Sequence, residues 1–182
     1  MTVSETPLKG LYILAPHDIQ DNRGNFMESY NSKVLKAAGI TTEFVQDNHS
    51  LSLFGVIRGL HFQNPPFEQT KLIRSVSGEI LDVVVDIRKD SSTFGEHFSI
   101  LLSAENKKQL FVPPGFAHGF AALSNTVEIH YKCDKFYNKE AEGSLFFNDP
   151  ELGIDWRVKD LEMIISDKDQ TSPTLQNLIS KF

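Results

Sequence analysis

Short apolar or alternating runs recur along this chain between Gly, Pro, Asn and Asp, and few are long enough for a helix. The runs that read as strands are Leu11–Leu14, Asn25–Tyr30, Phe44–Ser50, Val56–Phe62, Lys71–Ser77, Ile80–Ile87, Glu96–Leu102, Gln109–Val112, Gly119–Leu123 and Thr126–Cys133. Their number and spacing predict an all-β sandwich or barrel, best a jelly roll. After Gly78 the run EILDVVVDI predicts a strand buried on both faces between two sheets. Helices are few and peripheral: Asn31 or Ser32 caps KVLKAAG with Gly39 as its stop, and Ser172-Pro173 opens TLQNLI. The turn-rich stretch Phe146–Trp156 predicts an exit into a C-terminal arm. No repeat or linker divides the chain, so residues 1–182 are expected to form a single domain with terminal extensions.

Composition narrows the function classes. With 40% hydrophobic and 23% charged residues the chain reads as a folded soluble domain, long enough to be stable without disulfides or a structural metal. Cys133 is the single cysteine and has no internal partner. Met1–Lys9 lacks the basic flank and apolar core of a secretion signal, and runs such as Leu11–Ala15 fall far short of the ~20 residues that cross a bilayer, so the expected location is cytoplasmic, with no membrane partner. A formal charge of -6 argues against nucleic acid as a partner. Any phosphate site must then be a local cluster of cations.

Three histidine-bearing segments carry the chemistry: VIRGLHFQ (Val56–Gln63), VPPGFAHGF (Val112–Phe120) and EIHYK (Glu128–Lys132). Cupin metalloproteins commonly begin their ligand set with His-x-His on one strand; here that step is His61-Phe62-Gln63, which lacks the second imidazole, while PPGFAH resembles the second cupin motif and supports the fold. No metal and no cofactor are expected, and no dinucleotide, Walker or nucleophile-elbow motif is present. A lone histidine is ordinarily a satisfied core residue. Its ordinary pKa of ~6.5 nevertheless suits a general base, and His61 lies among Arg58 and Lys71, a density of ionisable groups that is costly to bury without a task. Strict alternation would put Arg58 and His61 on opposite faces, and Gly59 between them predicts a bulge that brings both to one cavity. The same parity groups Val127, Ile129, Tyr131 and Cys133 on one face, placing Tyr131 either at the cavity wall or in the core. DNRGNFMES predicts a turn entering a strand, with Arg23 and Glu28 available, and SDKD (Ser166–Asp169) reads by itself as a solvated loop.

Together, DNRGNFMESY, FVQDNHS, GVIRGLHFQ, TKLIRSVSGEILDVVVDIR, TFGEHFSILLS, LFVPPGFAHGFAALS, YKCDKFYN, NDPELGIDW and SDKD closely resemble the dTDP-4-dehydrorhamnose 3,5-epimerase family, a double-stranded β-helix of cupin-like jelly-roll type. The resemblance implies cofactor-free epimerisation of dTDP-4-dehydro-6-deoxy-D-glucose at C3 and C5, through an enolate beside the C4 ketone. By carry-over His61 is the base, Asp169 (rather than Asp167) orients it, Lys71 stabilises the enolate and Tyr131 donates a proton on the other face. Arg58, Lys168 and Arg23 match the diphosphate clamp. Gln46, Asn48, His118 and Glu142 match further substrate contacts, and Tyr137 an aromatic beside the thymidine. The resemblance also implies a homodimer whose N-terminal strand crosses to the partner, carrying Arg23 and Glu28 to the neighbouring site. NPPFEQTKL departs from the family at Phe67, Glu68 and Thr70. Relatives that invert only C3 or only C5 keep the same base and donor; a sugar-nucleotide binding module without catalysis would need neither.

Overall fold

A computed structural model describes residues Met1–Phe182. Thirteen strands follow one another as β1 (Thr2–Glu5), β2 (Tyr12–Ala15), β3 (Asp18–Asp21), β4 (Gly24–Met27), β5 (Gln46–Leu53), β6 (Ile57–Gln63), β7 (Lys71–Ser77), β8 (Glu79–Asp86), β9 (His97–Ser103), β10 (Gln109–Val112), β11 (Phe116–Ala122), β12 (Thr126–Cys133) and β13 (Glu142–Ser144). Two short helices, α1 (Ser32–Ala37) and α2 (Asp167–Gln170), lie outside the sheets. A six-stranded sheet in the order β1-β2-β10-β7-β12-β5 faces a five-stranded sheet in the order β13-β6-β11-β8-β9. All strand pairs within them are antiparallel. This is the jelly roll expected from the sequence. No helix is long and apolar enough to cross a membrane.

Alternation decides which side chains meet between the sheets. Ile73 of β7, Ile80 and Val84 of β8, Phe116 and Phe120 of β11, and Val127 and Ile129 of β12 form the inter-sheet core. Each such burial contributes roughly 1.5–3 kcal/mol. The opposite residues of β8, Leu81, Val83 and Val85, join Trp156, Phe147 and Leu175 in a second core outside the five-stranded sheet. EILDVVVDI is thus buried on both faces, but the second cover is the C-terminal arm rather than another sheet. The arm is held by polar bonds as well: Trp156 Nε1 donates to the Phe147 carbonyl at 2.9 Å, and the Asp149 carboxylate accepts from the Leu175 amide at 2.6 Å.

Several local expectations shift. The strand expected at Asn25–Tyr30 is one half of the β3–β4 hairpin, closed where the Asp21 carboxylate accepts from the Arg23 amide and Gly24 takes a φ of +127°. The helix expected after Ser172-Pro173 shortens to a single 3-10 turn, Leu175–Asn177, because Leu175 and Leu178 are drawn onto the second core. SDKD is no solvated loop: Ser166 caps α2, and Asp169 at its third position is buried to 3% exposure. α1 forms as expected, with the Asn31 side chain accepting from the Lys33 and Val34 amides.

Candidate active site

Gly59 solves the parity problem of β6. On β11, His118 pairs with His61 and Phe120 with Arg58, so two residues of β6 oppose one of β11, which is a bulge. Only glycine fits there: Gly59 has φ +135°, and a Cβ on it would sit 2.5 Å from the Gly119 Cα. The extra residue turns both Arg58 and His61 into the same cavity while Leu60 stays in the outer core.

His61 Nε2 lies 2.6 Å from Asp169 Oδ1, and Asp169 Oδ2 accepts from the Gly59 amide at 3.2 Å. Burial by itself would raise the Asp169 carboxyl. The His61 hydrogen bond and charge, the Gly59 amide and Ser166 together outweigh burial and hold it below the usual carboxylate range. An ionised carboxylate can only accept, so Nε2 carries the hydrogen and Nδ1 is the free basic nitrogen of the ring. A second His–Asp pair stands beside the first: His118 Nε2 lies 3.0 Å from Asp82 Oδ2, both buried. From the facing sheet Lys71 and Tyr131 complete the site. Burial pushes the Lys71 ammonium down, opposed by the nearby Cys133, Asp82 and Glu142. Burial pushes the Tyr131 phenol up, Cys133 adds to the rise and Arg58 opposes it. The phenol therefore stays protonated at neutral pH.

The cavity has two lobes that share His61, Lys71 and Tyr131. One, of about 560 Å³, is lined by Arg58, His118, Lys168 and Asp169 among others. The other, of about 390 Å³, is lined by Gln46, Asn48, Gln63, Cys133, Tyr137 and Glu142. An ion pair of 2.5 Å between Lys168 and Glu142 spans the two. Eleven of the thirteen expected site residues thus meet in one place. Arg23 and Glu28 do not. Arg23 is 85% exposed on the β3–β4 hairpin and paired to Asp21, while Glu28 accepts from Asn31. Gln63, where the His-x-His step breaks, uses its amide to hold two loops: Nε2 donates to the Phe67 carbonyl and Oε1 accepts from the Asn138 amide, each at 2.7 Å.

The family model described as dTDP-4-dehydrorhamnose 3,5-epimerase matches residues 5–177. The chain belongs to this family. It is 49% identical over 170 residues to the dTDP-4-dehydrorhamnose 3,5-epimerase of Shigella flexneri, which covers 93% of each chain. The crystal structure of the Elizabethkingia anophelis NUHP1 dTDP-4-dehydrorhamnose 3,5-epimerase superposes with a TM-score of 0.93 at 49% identity, covering 98% of this chain and 99% of that one. The dTDP-6-deoxy-D-glucose-3,5-epimerase of Legionella pneumophila Philadelphia 1, solved with dTDP-4-keto-L-rhamnose, gives a TM-score of 0.93 at 43% identity, covering 98% and 94%.

Within this family member, sequence reasoning missed three polar residues at or behind the cavity wall, of which Ser50 lines the larger lobe while Asp82 and Ser52 bond His118 and Arg58 from behind. Asp82 sat in an apolar run where an acid must find a partner, which was the signal for it. Ser50 and Ser52 continue the inward stripe of β5 begun by Gln46 and Asn48, while Asp47, His49, Leu51 and Leu53 alternate outward. The Ser50 hydroxyl is buried without a hydrogen-bond partner and lines the larger lobe. Such a group gains from a ligand that satisfies it.

Proposed function

We propose that this protein epimerises dTDP-4-dehydro-6-deoxy-D-glucose at C3 and C5 to dTDP-4-dehydro-L-rhamnose. The observation that carries this reading is the convergence of the His61–Asp169 pair, Lys71 and Tyr131 where the two lobes meet. The C4 ketone acidifies the hydrogens on C3 and C5. His61 Nδ1 takes one as a proton, the C–H electron pair becomes the enolate, and the charge on O4 is met by the Lys71 ammonium. Tyr131 then returns a proton from the opposite face, and both groups regain their resting protonation from solvent. Asp169 keeps the imidazole in its basic tautomer and stabilises the imidazolium. These steps use side chains alone and need no cofactor.

Arg58 and Lys168 hold the diphosphate, for which a guanidinium fork is well shaped. Gln46, Asn48, His118 and Glu142 contact the sugar nucleotide, and Tyr137 stacks beside the thymine. The protein acts as a homodimer in which the partner's β3–β4 hairpin brings a second set of contacts, the exposed Arg23 and Glu28 with it. That this hairpin does not reach its own cavity supports the arrangement. Incubation of the nucleotide sugar in deuterated water, followed by NMR of the sugar, tests the reaction. Solvent deuterium at both C3 and C5 of inverted product is expected; label at one carbon only would make this a single-site epimerase, and inversion without label would exclude proton abstraction.

A further inference from the structure

β5 and β6 belong to different sheets and are joined through a tight corner, where Gly55 takes a φ of +81° and a Cβ on it would meet the Glu162 carbonyl. Across this corner Arg58 Nε donates to the Ser52 hydroxyl at 3.1 Å, and Arg58 Nη2 donates to the Leu51 carbonyl at 3.3 Å. Ser52 is 3% exposed, so its oxygen is fixed by the strand around it. Nε and Nη2 form one edge of the planar guanidinium, and both bonds use that edge. Neither partner is a carboxylate, so the cation keeps its full charge for an anion. The Nη1–Nη2 end is left free, and Arg58 lines the larger lobe.

We propose that Ser52 is a positioning residue for substrate binding. Its hydroxyl, with the Leu51 carbonyl, grips the rear edge of Arg58 and presents the free end of the guanidinium to the substrate diphosphate. The proposal rests on the reading of Arg58 as a diphosphate ligand. A long, flexible side chain otherwise loses rotamer freedom when it binds, and prior fixation removes that cost. Sequence reading could not find this residue, because a serine on an alternating strand has no signature until Arg58 is seen folded back across the corner.

The test measures affinity for dTDP and for thymidine, together with KM and kcat, on the full chain and its variants. Ser52→Ala is expected to weaken dTDP binding and raise KM by ~10-fold, as befits loss of a hydrogen bond to a charged group, with thymidine affinity and kcat changed less than twofold. Ser52→Thr, which keeps the hydroxyl, is expected to restore dTDP affinity to within about threefold of the parent. In an Arg58→Lys background Ser52→Ala is expected to add nothing, since lysine has no Nε–H to hold. If Ser52→Ala does not fold, Ser52→Cys replaces the oxygen by a weak acceptor of similar size and is expected to behave in the same direction. Unchanged dTDP affinity in Ser52→Ala, alongside weakened binding in Arg58→Lys, would overturn the positioning role while leaving the diphosphate role of Arg58 intact. Equal loss of dTDP and thymidine affinity would overturn it in favour of a collapsed corner. Unchanged dTDP affinity in Arg58→Lys would overturn the diphosphate reading and this inference with it.

Discussion

Replacing Asp169 by asparagine tests the catalytic reading by exchanging one carboxylate oxygen for an amide NH₂ with almost no change of volume. Asp169 accepts twice, from His61 Nε2 at 2.6 Å and from the Gly59 amide at 3.2 Å. An asparagine cannot satisfy both, because one end of its amide is a donor. With its oxygen toward His61, the NH₂ group opposes the Gly59 N–H; with the NH₂ toward His61, Nε2 must become an acceptor, the hydrogen moves to Nδ1, and the base is lost. An unsatisfied buried donor costs ~1–3 kcal/mol, so the second orientation competes strongly and the wrong tautomer accumulates. A positioned general base contributes ~10²–10⁴-fold, and kcat of Asp169→Asn is expected to fall by that order with KM little changed. Solvent deuterium exchange at C3 and C5, followed by NMR, reads proton abstraction directly and should fall in parallel. A variant with kcat and exchange both within about threefold of the parent, far inside the range expected of a general base, would refute the assignment of Asp169 and the tautomer argument.

Tyr131→Phe is expected to uncouple exchange from inversion: His61 still removes and returns a proton on its own face, so label enters with retained configuration while epimerised product falls steeply, and inversion at the parent rate would reduce Tyr131 to packing. Lys71→Met should bind the nucleotide sugar yet turn over poorly, because charge on O4 develops only along the reaction path; an effect confined to KM would make Lys71 a ground-state contact. Asp86 predicts acid lability. Burial alone would raise its carboxyl, but the Arg88 guanidinium, Ser91, the Arg88 amide and Thr93 bring it from 3.8 to about 2. A depressed carboxyl contributes stability that is fully present above its unfolded pKa and lost as pH falls through the folded one. The loss, on the order of 2 kcal/mol, should therefore appear between about pH 4 and pH 2 in chemical denaturation, and an Asp86→Asn profile superimposable on the parent's would contradict it.

The chain's own pattern determined a good deal of this. Short, punctuated apolar runs pointed to an all-β sandwich or barrel, best a jelly roll. The parity of β12 put Tyr131 in line with Val127, Ile129 and Cys133, and Gly59 announced the bulge that lets Arg58 and His61 share a cavity. These features are local: alternation and glycine conformation act within a few residues, so a linear reading can follow them. The same motifs carried the family resemblance and, with it, the candidate base, donor and cations.

What tertiary structure decided is non-local. Asp169 meets His61 across 108 residues, from a four-residue helix whose SDKD sequence reads as a solvated loop until the C-terminal arm folds back over the five-stranded sheet. The arm also supplies the second cover of β8, which periodicity registers as burial without saying what does the burying. Asp82 gains its meaning only when β11 sets His118 beside it, and Ser52 only when the chain turns the corner into β6. In each case the deciding contact joins residues that share no strand, and its energy depends on a distance and an orientation that only the packed sheets create.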